Sequence, residues 1–101
     1  MIHVLASIQV KAEAKRAFIE LFKANVPNVL AEAGCLEYQP TIDAETDLPT
    51  QQCNPSLITV IEKWESLDHL KAHLEAPHMQ TFREAATDYI ENVELKILNN
   101  A

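Results

Sequence analysis

The chain has 101 residues, 48% of them apolar and 23% charged, a composition that fits one globular domain over residues 1–101. Its formal charge of −7 argues against nucleic acid, which needs lysine and arginine to displace counterions, and against an anionic membrane surface. No segment approaches the roughly 18 consecutive apolar residues of a spanning helix.

His3 to Val10 alternates, with Val4, Ala6, Ile8 and Val10 on one face and His3, Leu5, Ser7 and Gln9 on the other, and this predicts a first strand. From Glu13 to about Ala33 the period changes. Ala14, Phe18, Leu21, Phe22, Val26 and Val29 recur at three- and four-residue steps, which predicts an amphipathic helix with a bend at Pro27. The only glycine, Gly34, suits the left-handed residue that stops such a helix. A second strand, Cys35 to Asp43, sets Leu36, Tyr38 and Ile42 on one side, and Pro40 within it points to a sheet edge or a bulge. Residues 44–56 are polar, carry two prolines and read as a long loop of the sort that often covers a site.

Leu57 to Glu65 is rich in β-branched residues and predicts a third strand. Ser66 is a helix N-cap, with Leu67, Leu70 and Leu74 as the expected buried stripe of a short helix. Pro77 restarts a helix whose apolar positions are Met79, Phe82, Ala86 and Tyr89 or Ile90, and Asn92 to Leu98 alternates again as a closing strand. The order matches an α+β, ferredoxin-like split βαβ arrangement, a four-stranded antiparallel sheet with helices on one face. The other face, with Leu5 and Ile61, is too apolar for water, so a second copy is the expected cover, giving a homodimer.

Three places carry candidate chemistry. Ile58, Val60, Glu62 and Trp64 share a face, so Glu62 is a costly carboxylate between apolar neighbours and Trp64 a flat wall suited to an aromatic ligand. The equally ordinary readings are an ion pair for Glu62 and core packing for Trp64. His73 borders the buried stripe of its helix while His69 faces outward; their four-residue spacing can serve zinc, but no HExxH pattern or third ligand accompanies it, and no metal is expected. His73 is instead a candidate base, against the plainer reading of a backbone-bonded histidine at the helix edge. His78 stands in a helix first turn, where the dipole favours a neutral ring. Tyr38 is placed to hydrogen-bond a ligand oxygen or to end at the rim of the core. A single glycine cannot build GxGxxG, P-loop or GxSxG motifs, so nucleotide cofactors and serine-hydrolase chemistry are not expected. Cys35 and Cys53 lack CxxC spacing and read as reduced thiols, and Met1 to Val10 lacks the features of an export signal; a cytoplasmic protein is expected.

The run from Val26 through Cys35, followed by Ile61-Glu62-Lys63-Trp64-Glu65-Ser66, Ala72-His73-Leu74 and Ala76-Pro77-His78-Met79, resembles the antibiotic biosynthesis monooxygenase (ABM) domain family over nearly the whole chain, and within it the YgiN-type quinol monooxygenases. The resemblance implies a dimeric α+β barrel that oxygenates a small quinol or polyphenol with O2 and no metal, flavin or other cofactor. Relatives of that fold that degrade haem use a first-strand asparagine; His3 to Val10 has none, so haem degradation is not expected although Trp64 matches their tryptophan. A quinol hydroxyl ionises near the tyrosine value of about 10, so forming its oxygen-reactive anion at pH 7 takes about 4 kcal/mol. A pocket walled by Trp64 and His73, with His73 as base and Tyr38, Glu62, His78 and Phe82 as substrate contacts, is the expected means. The rivals are an isomerase or lyase acting on a small signalling-type metabolite, for which Arg83 is the candidate cation, and a non-catalytic dimeric binding module.

Overall fold

Residues with stiff, branched side chains at alternate positions make β1 (Ile2–Val10) and β3 (Leu57–Trp64), the two central strands of a four-stranded sheet. The computed structural model describes residues 1–101 and orders the strands β2-β3-β1-β4, with every neighbouring pair antiparallel. Edge positions go to β2 (Cys35–Ile42), which contains Pro40, and β4 (Ile90–Leu98). One long helix, α1 (Lys15–Leu30), and two short ones, α2 (Leu67–Glu75) and α3 (Pro77–Ala86), lie on one face. This is the ferredoxin-like α+β arrangement that the alternation of periods implies.

The core lies between that face and the helices. Val4, Ala6, Ile8 and Val10 from β1 meet Ile58, Val60 and Trp64 from β3, under Phe18, Phe22 and Val29 of α1 and Met79, Phe82 and Ala86 of α3. Helix α1 runs through Pro27, with the amide of Ala31 bonding back to the Pro27 carbonyl. Gly34 follows with φ +79°, and its carbonyl accepts from the Glu65 amide at 2.9 Å. Two constraints meet there: the backbone is left-handed, and a Cβ would collide with the His69 ring. Ser66 caps α2 by accepting from the His69 amide.

Three local readings change. The α2 stripe is Leu70 and His73, both 2% exposed, while Leu67 and Leu74 sit at the margin, 42% and 37% exposed. Leucine's usual preference gives way because the row facing the sheet is set by the helix's position over Trp64. In β2, a register shift between Cys35 and Glu37 pairs Cys35 with Trp64 and swings Leu36 outward, so Leu36 does not share the inner face with Tyr38. The segment from Asp43 to Ser56 holds itself in place through Asn54, whose amide nitrogen bonds Asp43 and whose side chain reaches Gln9. It lies at the Ile42–Ile58 end of the sheet, away from Trp64, so within one chain it does not cover that residue.

The helices leave β4 bare. Val93, Leu95 and Ile97 stand opposite Ile8, Ala6 and Val4, on the same side as the core, yet are 46–48% exposed. No helix is long and apolar enough to cross a membrane.

Candidate active site

Strand β3 aims Glu62 and Trp64 at the helices, β2 brings Tyr38 opposite Glu62, and α2 lowers His73 onto the indole. The Trp64 and His73 rings lie 4.6 Å apart, centre to centre, tilted by 35°; Tyr38 meets His73 edge-on at 5.4 Å and stacks on Phe22 at 5.3 Å. The indole N–H donates to Glu62 Oε1 at 3.0 Å. The alternation thus brings Trp64, His73, Tyr38 and Glu62 together.

These side chains fill the space that the sequence suggests as an open pocket. Trp64 is wholly buried and His73 2% exposed, so no water-accessible hollow separates indole from imidazole in the single chain. An open cavity of about 280 Å³ lies instead between α1 and α3, lined by Leu21, Asn25, Asn28, His78, Thr81 and Phe82 among others. His78 and Phe82, both singled out in the sequence, therefore stand at the cavity, while the other four form the cluster behind it.

Glu32 joins the two places. Its Oε2 lies 2.8 Å from His73 Nδ1 and 2.8 Å from His78 Nε2. Helix α1 ends at Leu30, and Glu32 sits in the turn before Gly34, held by its amide bond to the Val29 carbonyl. Sequence reading gave this residue no role. A signal was present: a carboxylate just past a helix C-terminus opposes the helix dipole and wants a donor from elsewhere in the fold. Asn25 and Asn28 were missed because carboxamides on an exposed helix face carry no distinguishing pattern; here Asn28 donates to Asn25 at 3.1 Å on the cavity wall.

Burial governs the protonation of the cluster. It raises the Glu62 carboxyl to about 7, against the indole hydrogen bond that pulls it down, with the Glu32 charge adding to the rise. Tyr38 is raised well above a free phenol, mainly by desolvation and then by Glu62 and Glu32. Desolvation lowers His73 while the bond to Glu32 pulls the other way. Cys35 is raised to about 11 by burial and by the two glutamates, so its thiol stays protonated and unreactive.

The remaining polar candidates are engaged elsewhere. His69 Nδ1 bonds Ser66 Oγ at 2.7 Å, whereas His73 turns to Glu32, so the two histidines of the four-residue spacing take separate partners. Arg83, the candidate cation for a small signalling-type metabolite, donates one bond to the Leu74 carbonyl at the end of α2.

Comparison with known proteins gives consistent results. The family model described as antibiotic biosynthesis monooxygenase matches residues 1–85. A curated Escherichia coli K12 protein named "Probable quinol monooxygenase YgiN" is 36% identical over 100 residues, covering 97% of this chain and 96% of the relative. Among solved structures, a conserved protein from Methanosarcina mazei Go1 superposes with a TM-score of 0.85 at 26% identity, over 99% of this chain and 92% of that one. PA3566 from Pseudomonas aeruginosa gives 0.83 at 24%, over 99% and 93%.

Proposed function

The chain belongs to the antibiotic biosynthesis monooxygenase family, and on that premise we propose that it oxidises a small quinol with O2, without a bound cofactor, in the cavity between α1 and α3. The observation that carries this reading is an imidazole at that cavity, His78, backed at 2.8 Å by a carboxylate that also holds a second, buried imidazole. At about 280 Å³ the space lies at the small end of ligand sites, which run to roughly 1,000 Å³, and suits one or two fused rings.

The ring lies against Phe82, with one hydroxyl toward His78 and the other toward the carboxamides of Asn25 and Asn28. Nδ1 of His78 takes the hydroxyl proton; a positioned base of this kind contributes on the order of 10²–10⁴ in rate. The resulting quinol anion gives an electron to O2, and the two radicals join as a ring-carbon hydroperoxide that takes the proton back from His78. Loss of water, by breaking the O–O bond and the C–H bond of that carbon, leaves one atom of O2 on the hydroxyquinone product. His73 is the reserve base, and Trp64, Tyr38 and Glu62 form the wall that keeps it dry and oriented. In this assignment Trp64 supports the base and does not stack on substrate. Absence of a glycine-rich loop supports chemistry without a nucleotide cofactor, since the single glycine is spent at the end of α1.

The same proposal pairs the chain with a second copy. Val93, Leu95 and Ile97 are exposed on β4, and Leu5 and Ile61 face each other on the open side of the sheet. Sedimentation should give the mass of two chains. Free Cys35 and Cys53 support a reducing, cytoplasmic location.

The test is oxygen uptake with a reduced naphthoquinone, using labelled dioxygen and the mass of the product. Uptake above the uncatalysed rate, with label in the quinone, is the expected result. His78→Ala should lower it about 10²-fold. Uptake at the background rate across several quinols would remove the proposal, and unlabelled quinone with peroxide would replace monooxygenation by simple oxidation.

A further inference from the structure

Two imidazoles share one carboxylate oxygen here. A carboxylate has no hydrogen to give, so each ring nitrogen that meets it must carry its own. At His73 that nitrogen is Nδ1, and at His78 it is Nε2, both 2.8 Å from Glu32 Oε2. In the neutral rings the lone pairs then fall on the opposite atoms, Nε2 of His73 and Nδ1 of His78. From this we infer that Glu32 is a positioning residue, which locks the two histidines into opposite tautomers.

The two rings sit in different surroundings. His73 is 2% exposed and packed against Trp64 and Tyr38, whereas the His78 side chain is 29% exposed at the cavity. The titratable groups that touch or act on His73 are Glu32 from the turn after α1, Tyr38 from β2, and His78 and Arg83 from α3. Among these only Glu32 bonds both rings, so it is the group whose removal frees both tautomers. Glu32 thereby leaves Nδ1 of His78, a ring at the cavity, without a hydrogen and ready to accept one.

The inference rests on the quinol reading only for the source of the proton, and its main test needs no turnover. Nitrogen–proton correlation spectra of the imidazoles in the wild-type protein at pH 8 should show hydrogen on Nδ1 of His73 and on Nε2 of His78. In Glu32→Ala no acceptor faces either ring, so at least one histidine should lose its single tautomer. Quinol turnover should fall about 10²-fold with a displaced pH profile. Wild-type spectra with either hydrogen on the other nitrogen would overturn the inference, and so would a folded Glu32→Ala protein in which both rings keep the same single tautomers. Should that variant fail to fold, the wild-type spectra decide alone. Absence of quinol oxidation with the expected spectra would remove the activity and leave the positioning role standing. Intact turnover with contrary spectra would do the reverse.

Discussion

At the Ile58 end of β3 the interior is hydrocarbon: Ile58 stands between Ile8 of β1 and Ile42 of β2, and the 43–56 loop satisfies Asn54 with Asp43 and with Gln9 of β1. At the Trp64 end the same strand carries Glu62 inward, and His73 descends from α2 onto the Trp64 ring, both polar groups 6% exposed or less. Burying a polar group costs about 1–3 kcal/mol unless it is bonded. The first end therefore follows the rule for a stable core, and the second departs from it at two neighbouring positions while supplying each with a partner. Stability alone would place apolar side chains there, so a second requirement acts on this end of the strand.

The contrast can be broken from the apolar end first. Ile58→Ala removes a side chain that is 1% exposed and should cost about 4 kcal/mol in urea unfolding, the sum of lost transfer energy and the cavity left behind. The pH profile of quinol oxidation should keep its shape in whatever protein remains folded. A displaced profile would mean that the two ends are mechanically joined and that the division is false.

A smaller effect is expected at the polar end, and it depends on pH. Glu62 rises from an ordinary 4.5 to about 7 on folding, so the folded chain holds this proton more tightly than the unfolded one. Its favourable contribution is complete below about pH 4.5 and disappears as the pH climbs to about 7, a decline of at most about 3 kcal/mol. Glu62→Gln keeps an acceptor for the Trp64 indole but cannot ionise. Its unfolding free energy should therefore stay flatter than the wild type's between pH 5 and 7, so that the variant becomes the more stable of the two near pH 8. Parallel curves for the two proteins would show that Glu62 is not desolvated in the folded chain.

The same contrast explains what could be read in the sequence. Strand and helix order was legible because apolar residues at steps of two, or of three and four, leave few alternatives; Val4 to Val10 and Phe18 to Val29 are unambiguous. Gly34 was legible because a lone glycine after a helix has one ordinary use. Inward placement of Glu62 and Trp64 followed from the pleat. The closure of the pocket was not legible, because it depends on how deeply α2 sits, and Leu67 and Leu74 attract the eye away from His73. Nor was Glu32, whose two partners lie 41 and 46 residues away in the chain. Contacts of that range depend on the packing of whole elements, which local patterning does not encode. The bulge beside Leu36 escaped for a related reason: a one-residue register shift leaves no trace in composition.

The least effect is expected from the loop. Cys53→Ser changes an exposed thiol that donates to the Ala44 carbonyl at 3.4 Å, a contact that a hydroxyl can also make. Stability should move by no more than about 0.5 kcal/mol, as at other surface positions without a cap, a core contact or a charge network. Turnover should not move either, because within one chain this loop lies at the end of β3 away from Trp64. That second expectation is the sharper one. If the substitution leaves unfolding unchanged but lowers quinol turnover, the loop must act on a site its own chain does not bring near it. The only such site in a homodimer is the partner's. A silent Cys53→Ser variant would instead keep the chemistry of each cavity within a single chain, with pairing needed only to cover the apolar strand β4.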